Sequence, residues 1–442
     1  MDQYVVLSTF FFRVYGLVWR LIRPCLHLKK RLREGWGERQ APVGWASPAD
    51  VWLQTASGGE ARLVLSILAA LPENVKMSVF LTTWTKQGKE VLEMGLPKLL
   101  DALPGLQAQV RYAPLDEPGI VRRALAQVKP RLLILLETEL WPGLLGACAE
   151  SGIPVQIFNG RMSKTSFELY RGIRPVLREL PICRIHAISG EDAARFAWFY
   201  SKDTSVPCEI AVAPNIKFDQ AAESLQTPPS RALMPLFRKV GLVFLLASVR
   251  KQEEKHMAII IGKLFEFFPR AALIVAPRHM ERVLPWFERM NDLGFDPLLA
   301  SKISAKGSVK EGQVLIWDKF GDLPHLYAVA DVAFVGGSFN QGGQNFLEAL
   351  AAGLTPCVGP SLDNFRWALG REQPPTLEEA GLLIIADNTR DLLKKMEAAA
   401  LNLRNREDVR DDFRKWLDSR TGGAQRAARD LLASLNGAPA RQ

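Results

Sequence analysis

Carboxylates and basic side chains recur at the ends of apolar, strand-like runs in this sequence. Glu60 follows the run VWLQTA (51–56) through the turn Ser57-Gly58-Gly59 and opens a helical stretch. A carboxylate at the carboxyl end of a strand could act as a general base toward a hydroxyl group. Glu60 could equally only complement the dipole at the start of its helix, so this motif alone leaves both roles open.

Three further apolar runs in the first half end in charged residues. Two acids lie at the end of RLLILLE (131–137), an arginine follows PVQIFNG (154–160), and a lysine follows EIAVAP (209–214). A carboxylate that faces a cleft from such a strand is more often functional than one on a solvated helix. An isolated Arg or Lys is usually a surface charge, but the repeated position favours a site. The candidate substrate contacts, or supports of such contacts, are Glu137, Glu139, Arg161 and Lys217.

A glycine-rich turn and helix at residues 334–353 form the clearest anion-binding signal. The strand VAFVGG ends at Gly337, Ser338 follows it, and after a second glycine pair a helix is predicted to begin at Asn345. Glycines let backbone N–H groups approach an anion closely, and a helix N-terminus adds unpaired donors. Asn345 suits the N-cap position, and Glu348 is placed to bind a ribose hydroxyl. Because the turn is neither GxxxxGK[ST] nor GxGxxG, it disfavours an ATPase or a dinucleotide dehydrogenase.

Basic residues follow two other strands of the second half. Pro277-Arg278-His279 ends the run AALIVAP, and Ser248 and Arg250 lie at the end of VFLLAS. An arginine there could clamp a phosphate through two parallel hydrogen bonds, although a surface arginine is as plausible for the tripeptide alone. Ligands of parallel sheets bind at the carboxyl ends of strands, so the three polar strand ends strengthen one another.

The elements that would position these residues alternate along the chain. Seven strand-like runs occur before residue 215 and five more between residues 243 and 360, with amphipathic helical stretches between them. Continuous apolar runs are typical of strands buried on both faces, so we predict parallel, doubly wound α/β sheets. A chain of 442 residues exceeds a single α/β core. Two Rossmann-like domains that face one another would form a ligand cleft at their carboxyl edges.

Composition and charge narrow the class of partner. The 48% hydrophobic and 23% charged residues are ordinary for a globular protein, and a net charge of +9 suggests an anionic partner. The basic residues form no aromatic-interleaved patch and no known motif, which argues against nucleic acid. Five scattered cysteines without CxxC and five dispersed histidines support neither a disulfide framework nor a zinc site. We therefore expect no cofactor and no protein-held metal.

Residues 5–22 (VVLSTFFFRVYGLVWRLI) form a strongly apolar segment. Arg13 and Arg20 interrupt it, and a mid-membrane arginine is costly, so a clean transmembrane span is disfavoured. Residues 1–40 carry eight basic and three acidic side chains, a net charge of +5 (8 − 3). This pattern suits attachment to an anionic cytoplasmic leaflet. A buried N-terminal helix is the alternative, but the composition favours membrane attachment.

The predicted domain boundaries follow changes in composition. Residues 220–235 contain a Pro-Pro pair and interrupt the alternation, as an inter-domain linker would. Beyond residue 387 the chain is helical and rich in charge, and it would either pack back on the first domain or form solvated surface. The predicted segments are a membrane-attaching helix with a basic segment (1–34), an N-terminal Rossmann-like domain (35–219), the linker (220–235), a C-terminal Rossmann-like domain (236–386) and C-terminal helices (387–442).

Together these motifs resemble those of Kdo (3-deoxy-D-manno-octulosonic acid) transferases, which have the glycosyltransferase-B fold. The resemblance runs from about residue 35 to residue 365, and the motifs keep their order. The family's ETELWP matches residues 137–142 letter for letter. The other matches are S-x-G-E at 57–60, N-[AG]-R-[LM]-S at 159–163, N-[LI]-K-[FY]-D at 215–219, P-R-H at 277–279, F-V-G-G-S at 334–338 and G-G-x-N-x-L-E at 342–348.

The resemblance implies a function at the cytoplasmic face of a bacterial inner membrane, in lipopolysaccharide core synthesis. Glu60 would deprotonate a hydroxyl of a lipid A precursor (lipid IVA), which attacks the anomeric carbon of CMP-Kdo with inversion. The N-terminal domain would bind this acceptor and the C-terminal domain the nucleotide sugar. The residues implied to contact the nucleotide are Pro277, Arg278, Phe320, Gly321, Asp322, Asn345, Phe346, Leu347 and Glu348.

The chain departs from the family pattern at four positions. Gln344 stands for His and Phe346 for Pro in GGHNPLEP, Gln252 stands for Gly ahead of the Glu-Glu pair, and Pro214 stands for Gly in G-N-x-K. The alternative functions are a relative that uses another nucleotide sugar, a sugar-nucleotide epimerase, and a degenerate lipid-binding protein. ETELWP and the apolar N-terminus argue against the epimerase, and the retained Glu60 argues against the degenerate protein.

Overall fold

The computed structural model describes residues 2–200, 206–226, 230–304, 307–319, 321–370 and 373–437, with all of their side chains except those of residues 2–9, 30 and 31. The chain divides into two compact units. Unit 1 contains Met1–Asp219 and Thr421–Gln442, and unit 2 contains Gln220–Arg420.

Within the described residues, unit 1 forms one parallel sheet of seven strands. They are β1 (Val51–Thr55), β2 (Met77–Thr83), β3 (Leu106–Tyr112), β4 (Leu132–Leu136), β5 (Val155–Gly160), β6 (Ile182–Ala187) and β7 (Glu209–Val212). Their order is β3-β2-β1-β4-β5-β6-β7, so the direction in which the chain adds strands reverses between β1 and β4. The residues of these two strands are buried because helices cover both faces of the sheet.

The helices of unit 1 form a layer on each side of this sheet. They are α1 (Asp2–Leu26), α2 (Lys30–Arg33), α3 (Gly58–Ala69), α4 (Lys86–Ala102), α5 (Pro118–Val128), α6 (Pro142–Glu150), α7 (Lys164–Arg171), α8 (Arg174–Leu177), α9 (Gly190–Tyr200), α10 (Ile216–Gln226), which runs on into unit 2, and α17 (Gly423–Gly437). Leu63 of α3 and Leu92 of α4 share a core with α17. Val121 of α5 and Leu144 of α6 belong to the core on the other face.

Unit 2 repeats this architecture. Its strands are β8 (Val243–Val249), β9 (Ala272–Pro277), β10 (Pro297–Leu299), β11 (Val314–Ile316), β12 (Val332–Val335), β13 (Cys357–Val358) and β14 (Ile384–Ile385). Its helices are α11 (Glu254–Phe267), α12 (Val283–Asp292), α13 (Leu323–Val329), α14 (Leu347–Ala351), α15 (Thr389–Leu401) and α16 (Arg406–Asp418). The parallel strands follow the order β10-β11-β9-β8-β12-β13-β14, and the reversal lies between β8 and β12.

The predicted α/β class with two doubly wound sheets is confirmed. Every strand-like run of the sequence overlaps an observed strand, but β10 and β14 were missed. These strands have three and two residues, and each is the last strand at one edge of its sheet. Length alone does not explain the difference, because β11 and β13 are equally short and were predicted. Unlike those two strands, β10 and β14 are only partly buried.

The predicted linker differs from the structure at its start. Residues 220–226 continue α10, because the Ala, Glu, Leu and Gln of this stretch favour a helix. Residues 227–229 of the predicted linker, with its Pro-Pro pair, lie outside the described residues.

The C-terminal helices divide between the units. α15 and α16 belong to unit 2, whereas α17 returns to unit 1. Asp219 caps the start of α17, because it accepts hydrogen bonds from the N–H groups of Gly422 at 2.6 Å and Ala424 at 2.9 Å. Of the two predicted arrangements, α17 therefore adopts the one in which the C-terminus packs back on the first domain.

The N-terminal helix α1 packs along one side of unit 1. The Phe12 ring lies directly on Gly146, the Tyr15 hydroxyl donates to Asp116 at 2.6 Å, and Arg23 donates to Glu117 at 3.0 Å. Large apolar side chains on the opposite side of α1 are exposed. Among the helices of the described residues, none has both the length and the apolar character needed to cross a membrane.

Candidate active site

The two sheets place the predicted residues at their reversal points. Parallel α/β sheets bind ligands beyond the carboxyl ends of the strands where the strand order reverses. In unit 1, Glu60 follows β1 and Glu137 follows β4, the two strands at the reversal. In unit 2, Arg250 follows β8 and Gly337 follows β12, which form the equivalent pair. Each unit therefore gathers its candidates at the edge where such folds bind ligands.

The turn after β1 holds the Glu60 carboxylate in a defined position. Its Oε2 accepts a hydrogen bond from the Ala56 backbone N–H at 2.6 Å, and its Oε1 accepts one from the Ser57 hydroxyl at 2.9 Å. Ser57 caps α3 and accepts in return from the Glu60 N–H at 3.3 Å. The two side chains form a reciprocal cap of the capping-box kind. Glu60 thus stabilises the start of α3, and it is also the best-placed candidate base.

The surroundings of Glu60 favour its protonated form. Burial, followed by the negative charges of Glu137 and Glu139, raises the pKa of the Glu60 carboxyl to about 8, while the hydrogen bonds from Ala56 and Ser57 oppose this rise. A general base works best when its pKa lies near the working pH. A carboxyl group whose pKa is perturbed by burial and by neighbouring acids is typical of acid–base sites, whereas a helix cap alone does not require such a perturbation.

Glu137 has an unusual backbone conformation and is paired with Lys217. Its φ is +57°, a region that residues other than glycine seldom occupy. Lys217 Nζ donates to Glu137 Oε1 at 2.5 Å, and both side chains are largely but not fully buried. The fold therefore joins two predicted site residues that are 80 positions apart in the sequence.

Two asparagines to which the sequence assigned no role position this pair. Asn159 Oδ1, at the end of β5, accepts a hydrogen bond from the Ile216 N–H at 2.9 Å. Asn215 Oδ1 accepts one from the Lys217 N–H at 3.0 Å. These bonds hold the start of α10 at the sheet edge and place Lys217 beside Glu137. The available signal was the asparagine that opens both the N-x-R and the N-x-K motif.

Other parts of the predicted motifs of unit 1 are held by packing and hydrogen bonds. The N–H of Met162, next to Arg161, donates to Asp192 at 2.7 Å and fixes the turn after β5. In ETELWP, the Trp141 ring stacks on Trp84 with 4.5 Å between ring centroids. The tryptophan of this motif therefore has a packing role beside the two acids.

The backbone N–H groups of the glycine turn after β12 have a different hydrogen-bond partner from the one predicted. The N–H groups of Gly337, Ser338 and Phe339 donate to the Glu253 carboxylate at 2.7, 3.1 and 3.3 Å. The Arg250 N–H donates to the same carboxylate at 3.1 Å. The prediction that the first glycine pair offers its N–H groups to an anion is wrong here, because a carboxylate of the protein already accepts from this turn.

Glu253 is the residue of unit 2 that sequence reasoning missed. It is 3% exposed, and a Cβ added to Gly336 would lie only 2.8 Å from its Oε2, so the close approach requires glycine. The next residue, Glu254, forms a two-point ion pair with Arg282, each bond 2.7 Å long. The available signal was the Glu-Glu pair after β8. The pair alone does not show that Glu253 accepts hydrogen bonds from the N–H groups of residues 337–339.

Helix α14 begins at Leu347, two residues later than predicted. Asn345 still acts as a cap, since its Oδ1 accepts from the Leu347 N–H at 3.2 Å and its Nδ2 donates to Glu348 at 2.9 Å. Phe346 is fully buried, and its ring centroid lies 5.4 Å from that of Phe365. Phe346 and Leu347, both predicted to contact a nucleotide, could do so only through their backbone because both side chains are buried.

Two arginines at the edge of unit 2 have no acidic side-chain partner among the described residues. Arg278 follows β9; its N–H donates to Val249 O at 3.0 Å, and its side chain is exposed. Arg250 lies beside Gly337, after Ser248 at φ +54°, and its buried Nε has no hydrogen-bond partner. An unsatisfied guanidinium N–H of this kind suits an anionic ligand.

The remaining candidates of unit 2 follow β11. Gly321 has a φ of +89°, and Asp322 occupies the N-cap position of α13. Because β11 neighbours β9, Asp322 lies on the same sheet edge as Arg278. The predicted contact Phe320 lies outside the described residues, and Pro277 is the last residue of β9.

Comparison with known proteins decides the family. Residues 28–220 match the family described as 3-Deoxy-D-manno-octulosonic-acid transferase (kdotransferase). A 3-deoxy-D-manno-octulosonic acid transferase from Bordetella pertussis is 31% identical, and the match covers 93% of this chain and 91% of the relative. The chain belongs to the Kdo transferase family. The family and the enzyme class predicted from the motifs, a glycosyltransferase of lipopolysaccharide synthesis, are thereby confirmed.

Solved structures with the same fold cover most of this chain. UDP-GlcNAc 2-epimerase from Neisseria meningitidis is 13% identical with a TM-score of 0.52, over 87% of this chain and 99% of that one. Trehalose 6-phosphate synthase from Burkholderia multivorans is 12% identical with a TM-score of 0.53, over 88% and 98%. At such low identity the likeness concerns the fold alone, and it confirms the predicted glycosyltransferase-B architecture.

Proposed function

We propose that this Kdo transferase moves Kdo from CMP-Kdo to a hydroxyl of lipid IVA, a lipid A precursor, with inversion at the anomeric carbon and with Glu60 as the general base. The observation that carries the proposal is the Glu60 carboxyl, which is buried at the strand reversal of unit 1 and has a pKa raised to about 8. The donor and acceptor classes rest on membership of the family.

In this proposal, unit 1 serves the acceptor. The ionised Glu60 carboxylate takes the proton of the acceptor hydroxyl while the hydroxyl oxygen forms its bond to the anomeric carbon. The hydrogen bonds from Ala56 and Ser57 hold the carboxylate in place before the acceptor arrives, which lowers the cost of orientation. The residues proposed to contact the acceptor or to support Glu60 are Glu137, Glu139, Arg161 and Lys217.

Unit 2 serves the nucleotide sugar. As the acceptor oxygen bonds to the anomeric carbon, the bond from that carbon to the phosphate oxygen of CMP breaks, and one displacement inverts the configuration. Arg250 and Arg278 lie where they could stabilise the charge that develops on the leaving phosphate. The other proposed nucleotide contacts are Pro277, Phe320, Gly321, Asp322, Asn345, Phe346, Leu347 and Glu348, with Ser248, Gly337 and Ser338 shaping the turns around them.

The outward side of α1 is proposed to attach the enzyme to the cytoplasmic face of the bacterial inner membrane. Phe10, Leu17 and Leu21 are 65%, 57% and 71% exposed. Their spacing of seven and four residues places them in one stripe along α1. A helix with one exposed apolar stripe and basic flanks lies in the plane of a membrane interface.

Product analysis by mass spectrometry tests the donor and the acceptor together. The purified protein is incubated with tetra-acylated lipid A precursor and either CMP-Kdo or a panel of UDP-sugars. We expect the acceptor to gain the mass of Kdo with CMP-Kdo and to remain unmodified with the UDP-sugars. Turnover with a UDP-sugar and none with CMP-Kdo would overturn the proposed donor.

A further inference from the structure

A groove separates α1 from α5 and α6 on the surface of unit 1. It has a volume of about 580 Å³, and its lining includes Arg13, Gly16, Leu17, Arg20, Arg122 and Glu150. None of these residues takes part in the proposed sugar transfer. The groove runs beside the exposed apolar stripe of α1, because Leu17 belongs to both.

The groove has an excess of positive charge. Arg122 forms a two-point ion pair with Glu150 at 2.7 and 2.8 Å, which neutralises that arginine. Arg13 and Arg20 are exposed, and neither has an ion-pair partner among the described residues. They are seven residues apart, so they project from the same flank of α1 about 10 Å from one another along its axis. Two cations that have no ion-pair partner among the described side chains thus line one side of the groove.

The attachment of α1 to unit 1 keeps this flank in place. Tyr15 donates to the fully buried Asp116, which also accepts from the N–H groups of Gly143 and Leu144 at the start of α6. Arg23 pairs with Glu117 about two turns further along α1. With one side of the helix tied down, the apolar stripe must face outward and the two arginines must stand at its border.

We propose that this groove binds the phosphate headgroups of anionic phospholipids, with Arg13 and Arg20 as the headgroup ligands and the α1 stripe from Phe10 to Leu21 inserted among the acyl chains. The proposal rests on the membrane attachment proposed above and names its lipid class. An unpaired guanidinium offers a phosphate parallel hydrogen bonds, and the adjacent stripe suits the hydrocarbon that a free phosphate lacks. The charge and the apolar surface therefore favour a bilayer lipid.

Vesicle flotation of the full chain tests the groove. Vesicles of phosphatidylglycerol with phosphatidylcholine are compared with vesicles of phosphatidylcholine alone. Removal of both charges in Arg13→Gln/Arg20→Gln should weaken binding to the anionic vesicles about 30-fold, because each basic residue near such a surface contributes about fivefold. Binding of this variant to the neutral vesicles should equal that of the wild type.

Two further variants test whether the loss of binding comes from the groove, from the lower net charge or from damage to the fold. Arg62→Gln/Lys98→Gln removes the same charge from exposed positions on α3 and α4, on the other side of the sheet, and should bind as the wild type does. Arg13→Lys/Arg20→Lys keeps the charge and should retain most of the binding. Near-equal losses for the two Gln pairs, or full competition by millimolar inorganic phosphate, would overturn the proposal.

The readout does not depend on sugar transfer, so the two proposals fail separately. If the wild-type chain does not float with anionic vesicles, the membrane attachment itself is wrong. If the wild type floats and Arg13→Gln/Arg20→Gln floats equally well, only the headgroup groove is wrong.

Discussion

Glu60 and Glu253 occupy similar places in the two units and are used in different ways. Each lies in the turn or first helical turn after the strand that begins its reversal pair, β1 or β8. Glu60 accepts from one backbone N–H and one hydroxyl, and burial with two nearby carboxylates raises its pKa to about 8. Glu253 accepts from four backbone N–H groups in two turns. The same position therefore holds a carboxyl group with a raised pKa in unit 1 and an anchor for the glycine turn in unit 2.

The charges around the two carboxylates also differ. Around Glu60 the edge of unit 1 gathers two more acids and one lysine, which is already paired. Around Glu253 the edge of unit 2 carries Arg250 and Arg278 without acidic side-chain partners among the described residues. Burial and the negative charges of Glu137 and Glu139 favour the protonated form of Glu60. One topology thus gathers acids at the edge of unit 1 and arginines at the edge of unit 2, which are the charges that the proposed proton uptake and anion binding require.

The largest expected effect is that of Glu60→Gln. Loss of a general base should lower kcat for Kdo transfer by about 10²- to 10⁴-fold. The free energy of unfolding should not fall, because a pKa raised above its ordinary value means that the fold favours the neutral form, which Gln resembles. Initial rates and denaturant titrations measure the two quantities. Glu73→Gln, at an exposed position of unit 1, is the control, and an undiminished rate in Glu60→Gln would contradict the comparison.

The next largest effect should come from Glu253→Gln, and it should appear in the free energy of unfolding and in KM, not in kcat. The amide turns its NH₂ group toward backbone N–H donors, and each buried donor left unsatisfied costs about 1–3 kcal/mol of stability. We expect a lower free energy of unfolding and a higher KM for CMP-Kdo, with the pH dependence of kcat unchanged because Glu60 is intact. Glu266→Gln, exposed on α11, is the matched control. Wild-type stability together with wild-type KM would show that Glu253 does not anchor the turn.

The smallest expected effect concerns pH. Wild-type kcat/KM should rise with pH through about 8, because only ionised Glu60 accepts a proton. Burial is the main cause of the raised pKa of Glu60, and the charge of Glu139 adds to it. Glu139→Gln should therefore lower the pKa of Glu60 and move the rise of kcat/KM to lower pH. A pH–rate profile of both proteins measures the shift. If kcat/KM rises at the same pH in both proteins, the Glu139 charge does not act on Glu60.

Most of the fold could be predicted because its pattern is local. The apolar runs of β1, β4 and β8 are buried on both faces, and such burial leaves a continuous run in the sequence. The edge strands β10 and β14 are only partly buried, and their short apolar runs were not recognised as strands. The continuation of α10 to Gln226 was not predicted, because residues 220–226 combine loop-like polarity with good helix formers.

The candidate site could be predicted in part. Glu60 and Arg278 follow apolar strands, and a strand end can be recognised from the sequence. The pairing of Glu137 with Lys217 spans 80 residues and depends on the order of β4, β5, β6 and β7 in the sheet, which the motifs do not encode. The hydrogen bond from the Gly337 N–H to Glu253 joins residues 84 positions apart. The sequence assigned this N–H to an anion instead, because the motifs do not encode such distant contacts.

The sequence by itself determined the two doubly wound sheets, the strand ends that carry Glu60 and Arg278, and the family. Only the tertiary structure decided that Tyr15 and Asp116 tie down α1, that α17 returns to Asp219, and that Glu253 closes the glycine turn. The physical reason is the range of the forces involved. Burial periodicity and capping act between near neighbours along the chain, whereas a buried carboxylate takes its donors from whichever backbone the packing brings to it.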